Sequence, residues 1–270
     1  MESLKKRYWT GGRPGFEPAK AKLVAARSKI ENHLWVEPKI DGARALVHFM
    51  DGEVVITSRR AGVDGTYRQW QENLPHLVDN FRMQGLKGYW LFDGELTMTD
   101  LSSTMSVVGA NAAQAIAYQE ANGRAQLQLF DLLVHHDQDI TGETLENRYW
   151  TLHNSLDWAG SLRIVQHDLV ESLAAADDMF SFLTHGGYEG VMLKNPRSAY
   201  YGTNAWFKRK KVTTVDAQVT GYVPGKGKYE GTVGALKVAV FDKATNELRE
   251  ICNVAPGTCL LYTSPSPRDS

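Results

Sequence analysis

The sequence of 270 residues contains only two cysteines, Cys252 and Cys259. Two cysteines are too few for a disulfide framework or a cysteine-based zinc site, so a reducing, cytoplasmic compartment is the default expectation. No apolar run approaches the roughly 20 residues that a membrane helix requires. The N-terminus has basic residues with no apolar segment after them, unlike a secretory signal. We therefore expect a cytoplasmic protein with no membrane partner.

The chain also lacks an excess of charge of either sign, because 30 Lys and Arg residues face 31 Asp and Glu residues. The distribution along the chain is nevertheless uneven. Basic residues predominate in the first thirty positions and between Arg197 and Lys228, whereas Asp131 to Glu189 is an acidic stretch. A protein with one basic face can bind a polyanion without a basic isoelectric point, although charged runs are more often simply solvated faces.

The pattern of apolar residues predicts a mixture of helices and strands. The Asp51-Gly52 dipeptide predicts a two-residue hairpin turn. Residues 17–30 are predicted to form an amphipathic helix, and residues 89–98 two strands joined by a turn at Asp93-Gly94. After Val215 the pattern changes to short strands and glycine-rich turns, which indicates a second domain. Further helices are predicted in part of residues 67–82 and at residues 111–122, 145–158 and 172–185.

The first motif that indicates chemistry surrounds Lys39, which lies beside a tight Asp41-Gly42 turn between two apolar strands. A free lysine has a pKa of roughly 10.4 and is a poor nucleophile near neutral pH. Desolvation or neighbouring cations activate such a lysine. Taken alone, the motif is better explained as a surface lysine beside a turn, so its interpretation depends on the rest of the sequence.

Four further motifs lie on or beside predicted strands: FDGEL at residues 92–96, FDLL at 130–133, EGVMLK at 189–194 and WFKRK at 206–210. Glu95 and Glu189 are acids within apolar strands, where an unpaired carboxylate is costly and a cation such as Mg²⁺ is a common partner. Lys208 and Lys210 are two residues apart on a strand and therefore share a face that suits a phosphate. Taken singly, each motif is better explained by a structural ion pair or a charged edge strand.

The five motifs in this order resemble those of the covalent nucleotidyltransferases, and specifically of the ATP-dependent DNA ligases, most closely the small phage type. The matched segments extend over nearly the whole chain. The resemblance implies an α+β fold, with an ATP-grasp-like nucleotidyltransferase domain of antiparallel sheets flanked by helices, followed by part of an oligonucleotide-binding (OB) β-barrel. It also implies an enzyme that seals nicks in duplex DNA through a lysyl-AMP intermediate and an adenylated 5′-phosphate.

The resemblance implies a role for each matched residue, with Lys39 as the nucleophile that attacks the α-phosphate of ATP. The implied nucleotide contacts are Glu37 at the adenine amino group, Arg44 and Glu95 at the ribose and phosphates, Arg59 at the nucleotide and the 5′-phosphate of the nick, Phe130 on one face of the adenine with Met192 or Val191 on the other, and Lys208 and Lys210 at the α-phosphate. The implied divalent metal, Mg²⁺ or Mn²⁺, has Glu189, Glu95 and Asp41 as its candidate ligands.

The partners implied by this resemblance are ATP and nicked duplex DNA. A monomer is expected in the cytoplasm of a bacterium or of a phage-infected host, with roles in DNA replication, repair and recombination. The chemistry agrees with the residues, because nucleotidyl transfer depends mainly on positioning and on neutralising developing negative charge.

The domain organisation expected from the sequence has three parts. Residues 1–213 form the nucleotidyltransferase (adenylation) domain, residues 214–257 part of an OB domain, and residues 258–270 a non-native or disordered tail. An OB barrel has about five strands, and the sequence provides about three. The expectation is a truncated barrel, and hence weak adenylation and poor sealing by the chain as written. A genuine divergent tail is the alternative.

Two other functions remain open at this point. A related enzyme, either an RNA ligase or an mRNA-capping guanylyltransferase, shares the motifs, although Glu37 beside Lys39 argues against capping. The third possibility is a nick-binding module that has lost its chemistry. Incubation with labelled ATP or GTP, and then with nicks in DNA or RNA, would separate the ligases from the capping enzyme. A covalent AMP that disappears in Lys39→Ala would exclude the nick-binding module.

Overall fold

The computed structural model describes residues 9–10, 13–14, 18–23, 33–62, 65–202, 205–211, 215–227, 230–242 and 245–255. The chain divides into two compact units, Met1–Lys211 and Val212–Ser270, and each is described by itself. The boundary predicted between residues 213 and 214 and the tail predicted at residues 258–270 lie outside the described residues. The assignment of domains therefore stays a prediction.

The first unit mixes strands and helices. Its strands are β1 (Trp9–Thr10), β2 (Arg13–Pro14), β3 (Lys22–Leu23), β4 (Leu34–Pro38), β5 (Ala43–Met50), β6 (Glu53–Ala61), β7 (Tyr67–Gln69), β8 (Tyr89–Thr97), β9 (Gln126–His135), β10 (Gln138–Asp139), β11 (Leu162–Ile164), β12 (Asp168–Val170), β13 (Gly190–Lys194) and β14 (Trp206–Lys210). Its helices are α1 (Pro75–Met83), α2 (Leu101–Val108), α3 (Ala112–Asn122), α4 (Leu145–Ser155) and α5 (Leu173–His185). None of the helices in the described ranges is long and apolar enough to cross a membrane.

The larger sheet of this unit has the strand order β10-β9-β8-β5-β6-β7, with β11 added in parallel to β9. Its central strand β5 is buried on both faces: Val47 and Phe49 belong to the main core, and Leu46 belongs to a second cluster on the opposite side. Side chains of α1 such as Leu77 and Phe81 complete the main core and are fully buried. A sheet covered on both faces provides a rigid wall for a site.

The smaller sheet has the order β12-β4-β13-β14-β3. One face is apolar, where Val36, Val191 and Leu193 pack with Ala176 of α5. Because side chains alternate along a strand, the neighbouring residues point to the opposite face. That second face presents Glu37 of β4, Lys194 of β13, and Lys208 and Lys210 of β14. Arg209 of β14 lies on the apolar face, where its guanidinium is paired with Asp177 of α5.

The second unit contains an antiparallel sheet of three strands, β15 (Gln218–Pro224), β16 (Val233–Asp242) and β17 (Glu247–Val254). Its residues are mostly exposed, and Ala239 is the fully buried apolar residue of this sheet. Together, the two units confirm the expected α+β class with antiparallel sheets flanked by helices.

Two local predictions are wrong. A helix was expected at residues 17–30. Residues 18–21 instead have no regular structure, and Lys22–Leu23 is a strand paired in parallel with β14. Residues 17 and 24–30 lie outside the described residues. Residues 89–97 form one continuous strand with no turn at Asp93-Gly94. The glycine serves close packing instead, because a Cβ on Gly94 would lie 2.8 Å from the carbonyl oxygen of Gln128 on β9.

Candidate active site

A cavity of about 220 Å³ lies between side chains of the larger and the smaller sheet of the first unit. The predicted nucleophile and all the predicted nucleotide-binding residues line it: Glu37, Lys39, Arg44, Arg59, Glu95, Phe130, Met192, Lys208 and Lys210. Two of the predicted metal ligands are not among the lining residues. Glu189 is paired with Lys39 and Lys210, which both line the cavity. Asp41 is exposed.

The smaller sheet brings its site residues together through strand register. Glu37 on β4 pairs with Met192 on β13, and Met192 pairs with Lys208 on β14. Directly opposed residues in antiparallel strands project from the same face. Three motifs that are far apart in the sequence therefore contribute to one row of side chains. The neighbouring Val191 is fully buried in the opposite core, so Met192 is the residue at the cavity and the alternative of Val191 is wrong.

The backbone of Lys39 is fixed at the end of β4 by a hydrogen bond of 2.9 Å from its amide to the carbonyl oxygen of Gly190. Gly190 itself is packed against β14, because a Cβ there would lie 2.0 Å from the carbonyl oxygen of Arg209. The ammonium of Lys39 is paired with Oε2 of Glu189, whose Oε1 is paired with Lys210. Burial opposes the charge of Glu189, but the hydrogen bonds from Lys210 and Lys39 hold its pKa below the ordinary value.

A buried ion pair forms one wall of the cavity. The ammonium of Lys194 lies 2.6 Å from Oε2 of Glu37, and both side chains are almost fully buried. Oε1 of Glu37 has no hydrogen-bond partner among the residues that the structure describes. Burial raises the pKa of Glu37, and Lys194 opposes this rise. Because an unsatisfied buried acceptor is costly, Oε1 is suited to accept a hydrogen bond from a ligand in the cavity.

A β-bulge directs Phe130 into the cavity. Asp93 pairs with Asp131 and Gly94 pairs with Leu129, so Phe130 is the extra residue of β9. Such bulges turn a side chain out of the regular alternation. The Phe130 ring meets the ring of Trp206 edge-on at 5.8 Å, and the ammonium of Lys194 lies 4.6 Å from the Phe130 centroid.

Arg44 is held in place by several partners. Its Nε and Nη2 donate to Oδ1 and Oδ2 of Asp93 at 2.8 and 2.5 Å, and its Nη1 donates to the carbonyl oxygen of Ala19 at 2.7 Å. Burial disfavours the charge of Arg44, but the adjacent Asp93 carboxylate raises its pKa above the ordinary value. Asp93 belongs to the FDGEL motif, but the resemblance to the ligases implied a role only for Glu95 of that motif.

Glu95 and Arg59 are two ionisable residues of the cavity whose charged forms are disfavoured by burial. Glu95 pairs in register with Arg44 on β5. Burial raises the pKa of Glu95 to about 7, although Arg44 and Lys39 act against this rise. Burial and the charge of Arg44 lower the pKa of Arg59. In the described part of the chain, no three His, Cys, Asp or Glu side chains form a group that could hold a metal by themselves.

One buried ion pair near the site was missed entirely. Arg148 on α4 is fully buried and donates from Nε and Nη2 to the carboxylate of Asp131 at 2.7 and 2.8 Å. Asp131 directly follows Phe130, so this pair fixes the strand next to the bulge. A signal was available, because Arg148 lies on the same helical face as the buried Leu145, Tyr149 and Leu152.

Comparison with known proteins identifies the class. The family described as the ATP-dependent DNA ligase domain matches residues 18–210, and the chain belongs to this family. Among the curated relatives, a DNA ligase of Pyrobaculum neutrophilum is 28% identical over 235 residues, covering 82% of this chain and 39% of that protein. A DNA ligase of Sulfurisphaera tokodaii is 26% identical over 246 residues, covering 85% of this chain and 40% of that protein. The chain thus spans well under half the length of these relatives.

Solved structures share the fold. The structure named Pmar-Lig_Pre aligns with a TM-score of 0.72 at 20% identity, covering 92% of this chain and 58% of that one. A Lig E DNA ligase aligns at 0.60 and 20% identity, covering 86% and 84% of the two chains. An ATP-dependent DNA ligase from bacteriophage T7, in complex with ATP, aligns at 0.55 and 18% identity, covering 88% and 81%. The predicted resemblance to the ATP-dependent DNA ligases is confirmed.

Proposed function

We propose that this chain carries the nucleotide-transfer chemistry of an ATP-dependent DNA ligase that seals nicks in duplex DNA. The observation that carries the proposal is the position of Lys39 at a cavity lined by an unsatisfied acceptor on Glu37 and by the cations Arg59, Lys208 and Lys210. Such a lining suits a nucleotide, because it offers a hydrogen-bond acceptor to a base and positive charge to phosphates.

In the first reaction, Nζ of Lys39 attacks the α-phosphorus of ATP. An N–P bond forms, the bond from the α-phosphorus to the bridging oxygen breaks, pyrophosphate leaves with the electron pair, and the amine loses a proton. Lys208, Lys210 and Arg59 neutralise the charge that develops on the phosphates. The hydrogen bond from the Lys39 amide to Gly190 holds the nucleophile in position for this attack.

The nucleoside is recognised by the remaining residues of the cavity. Oε1 of Glu37 accepts a hydrogen bond from the adenine amino group. The Phe130 ring packs on one face of the base, and Met192 packs on the other. Arg44 and Glu95 bind the ribose and the adjacent phosphates. The fixed position of Arg44 on Asp93 supports this role, because a preoriented guanidinium loses little freedom on binding.

A divalent cation, Mg²⁺ or Mn²⁺, belongs to the proposal. Carboxylate oxygens are the ligands that such hard cations prefer. Burial raises the pKa of Glu95, and a bound cation would favour its charged form. Glu189 and Glu95 would hold the ion together with phosphate oxygens and water, and Asp41, exposed two residues after Lys39, stays a further candidate ligand. When bound, the ion neutralises charge on the phosphates.

The DNA steps follow from the stored AMP. The AMP passes from Lys39 to the 5′-phosphate of a nick, where Arg59 binds, and the 3′-hydroxyl then displaces AMP to form the new phosphodiester bond. The partners are ATP and nicked duplex DNA. The proposed setting is a monomer in the cytoplasm of a bacterium or a phage-infected host, acting in DNA replication, repair and recombination.

The proposal is tested by intact-mass measurement after incubation with ATP and Mg²⁺. Wild type and Lys87→Ala, which removes an exposed lysine of the same unit outside the cavity, should both gain the mass of one AMP. Lys39→Ala should gain nothing. Absence of the adduct from wild type would contradict the proposal and would favour a nick-binding module without chemistry.

A second comparison separates the related enzymes. We expect the adduct with ATP and not with GTP, and transfer of the AMP to a nick in duplex DNA in preference to one in RNA. A covalent GMP would instead indicate a capping guanylyltransferase, and a preference for RNA nicks an RNA ligase.

A further inference from the structure

The side chain of Tyr200, in the segment between β13 and β14, is fully buried behind the cavity. Its hydroxyl donates to Oδ2 of Asp93 at 2.5 Å and accepts from Nη2 of Arg44 at 3.2 Å and from the amide of Ala19 at 3.3 Å. A tyrosine hydroxyl has one donor hydrogen and two acceptor lone pairs. All of its hydrogen-bonding capacity is therefore used.

The three partners of this hydroxyl belong to three different segments. Asp93 is on β8, Arg44 is on β5, and Ala19 is in the segment of residues 18–23. That segment contributes Ala21 to the cavity lining and pairs with β14 through Lys22 and Leu23. One hydroxyl therefore joins two strands of the larger sheet to a segment attached to the smaller sheet.

The ring of Tyr200 is held independently of its hydroxyl. It meets the ring of Trp206 edge-on at 5.5 Å, and the guanidinium of Arg148 lies 5.5 Å from its centroid. Its amide donates to the carbonyl oxygen of Thr141 at 2.9 Å. Removal of the hydroxyl alone should therefore leave the ring in place and release only the three polar partners.

We propose that Tyr200 is a positioning residue for the nucleotide, whose hydroxyl keeps Arg44 and residues 18–23 in the arrangement that binds ATP. This inference rests on the proposed function. Without the hydroxyl, Oδ2 of Asp93 loses a donor and the amide of Ala19 loses its acceptor. Arg44 and the cavity wall at Ala21 then sample other positions, and ATP binding must restore the productive one.

The test compares Tyr200→Phe with the matched control Tyr89→Phe. Tyr89 is equally buried, and its hydroxyl contacts Nδ1 of His48 at 2.8 Å, outside the residues that line the cavity. For lysine adenylation, Tyr200→Phe should raise KM for ATP about tenfold, as expected for loss of hydrogen bonds to charged groups, and change kcat less than about threefold. Tyr89→Phe should leave KM within about twofold of wild type.

The split between KM and kcat is the readout that a merely structural role would not produce, and hydrogen exchange shows whether the loss of the hydroxyl acts locally or on the whole fold. In Tyr200→Phe, amides in residues 18–23 should exchange faster while those of the core strands β5 and β8 stay protected. An unchanged KM in Tyr200→Phe, an equal rise in Tyr89→Phe, or faster exchange throughout the core would each overturn the inference.

A second variant covers the case in which Tyr200→Phe does not fold. Ala19→Pro removes the amide that donates to Tyr200 and keeps both the tyrosine and the Ala19 carbonyl that accepts from Arg44. It should raise KM for ATP about threefold, corresponding to one lost neutral hydrogen bond, and no rise would refute the role of the hydroxyl. If wild type itself forms no adenylate, the proposed function fails instead of this inference.

Discussion

At the scale of single residues, the wall of the cavity contains buried charged side chains that are paired with side chains of opposite charge. Glu37 with Lys194 and Arg44 with Asp93 are both ion pairs with little exposure. Burying one charge without its partner is far more costly than burying the pair. Removal of one partner from either pair is therefore expected to destabilise the fold.

The first prediction concerns the pair of Glu37 and Lys194. Lys194→Met keeps the bulk of the side chain and leaves the Glu37 carboxylate buried without its counter-charge, so we expect a loss of about 3 kcal/mol in the free energy of unfolding. Urea denaturation measures this loss. The double variant Glu37→Gln/Lys194→Met should recover most of it, and equal destabilisation of the single and double variants would contradict the explanation.

The second prediction concerns the pH dependence that Glu95 gives to stability. Burial raises its pKa from 4.5 to about 7 in the folded protein, so the folded state binds the proton more tightly than the unfolded state does. Its contribution to stability is full below pH 4.5 and is lost as the pH rises through about 7. Relative to Glu95→Gln, wild type should therefore lose about 3 kcal/mol over this window, at roughly 1.4 kcal/mol per pKa unit. If the stability of wild type and of Glu95→Gln changed in the same way with pH, the raised pKa of Glu95 would be contradicted.

At the scale of elements, the site is built by strand register and by close approach of backbones. The five motifs were recognisable because each is short and continuous in the sequence. The network of Tyr200, Asp93 and Arg44 was not, because its members lie on separate segments that only the folded sheets bring together. Sequence patterns thus identified residues that line the cavity but not the residues that hold them in place.

Helix ends were more predictable than strand interiors. The helices expected at residues 111–122 and 172–185 are present, and Asn111 and Ser172 cap them through their side chains, as local chemistry dictates. Helix α2 was missed because its Ser, Thr and Val residues have low helix propensity. Burial of Thr104 and Val107 stabilises it in the fold, which a local pattern does not reveal.

The third prediction concerns the contact between β13 and β14. Gly190→Ala would place a Cβ 2.0 Å from the carbonyl oxygen of Arg209 and force the strands apart. We expect a loss of about 2 kcal/mol in stability and a marked fall in the rate of lysine adenylation, because Gly190 also holds the Lys39 amide.

Gly142→Ala is the matched control for this change. A Cβ there meets no atom within 4 Å, so its stability should stay within about 0.5 kcal/mol of wild type and its adenylation rate should be unchanged. Similar behaviour of the two alanine variants in thermal unfolding and in adenylation would show that the close approach at Gly190 is unimportant.

At the scale of the whole molecule, the net charge of −1 was uninformative, whereas the local distribution of charge was useful. Lys208 and Lys210 of the basic region lie at the cavity, and Glu189 of the acidic stretch is paired with Lys210 beside it. The family match covers residues 18–210, and the described site lies within that range. The chemistry is therefore assigned to the first unit.

The proposed function depends on the storage of an AMP by Lys39, and mapping the adduct measures this step. After incubation with ATP and Mg²⁺, the protein is digested and the modified peptide is identified by tandem mass spectrometry. We expect the AMP on Lys39 alone, in wild type and in Lys87→Ala, and on no residue in Lys39→Ala. An adduct on another lysine, or no adduct on wild type, would contradict the account.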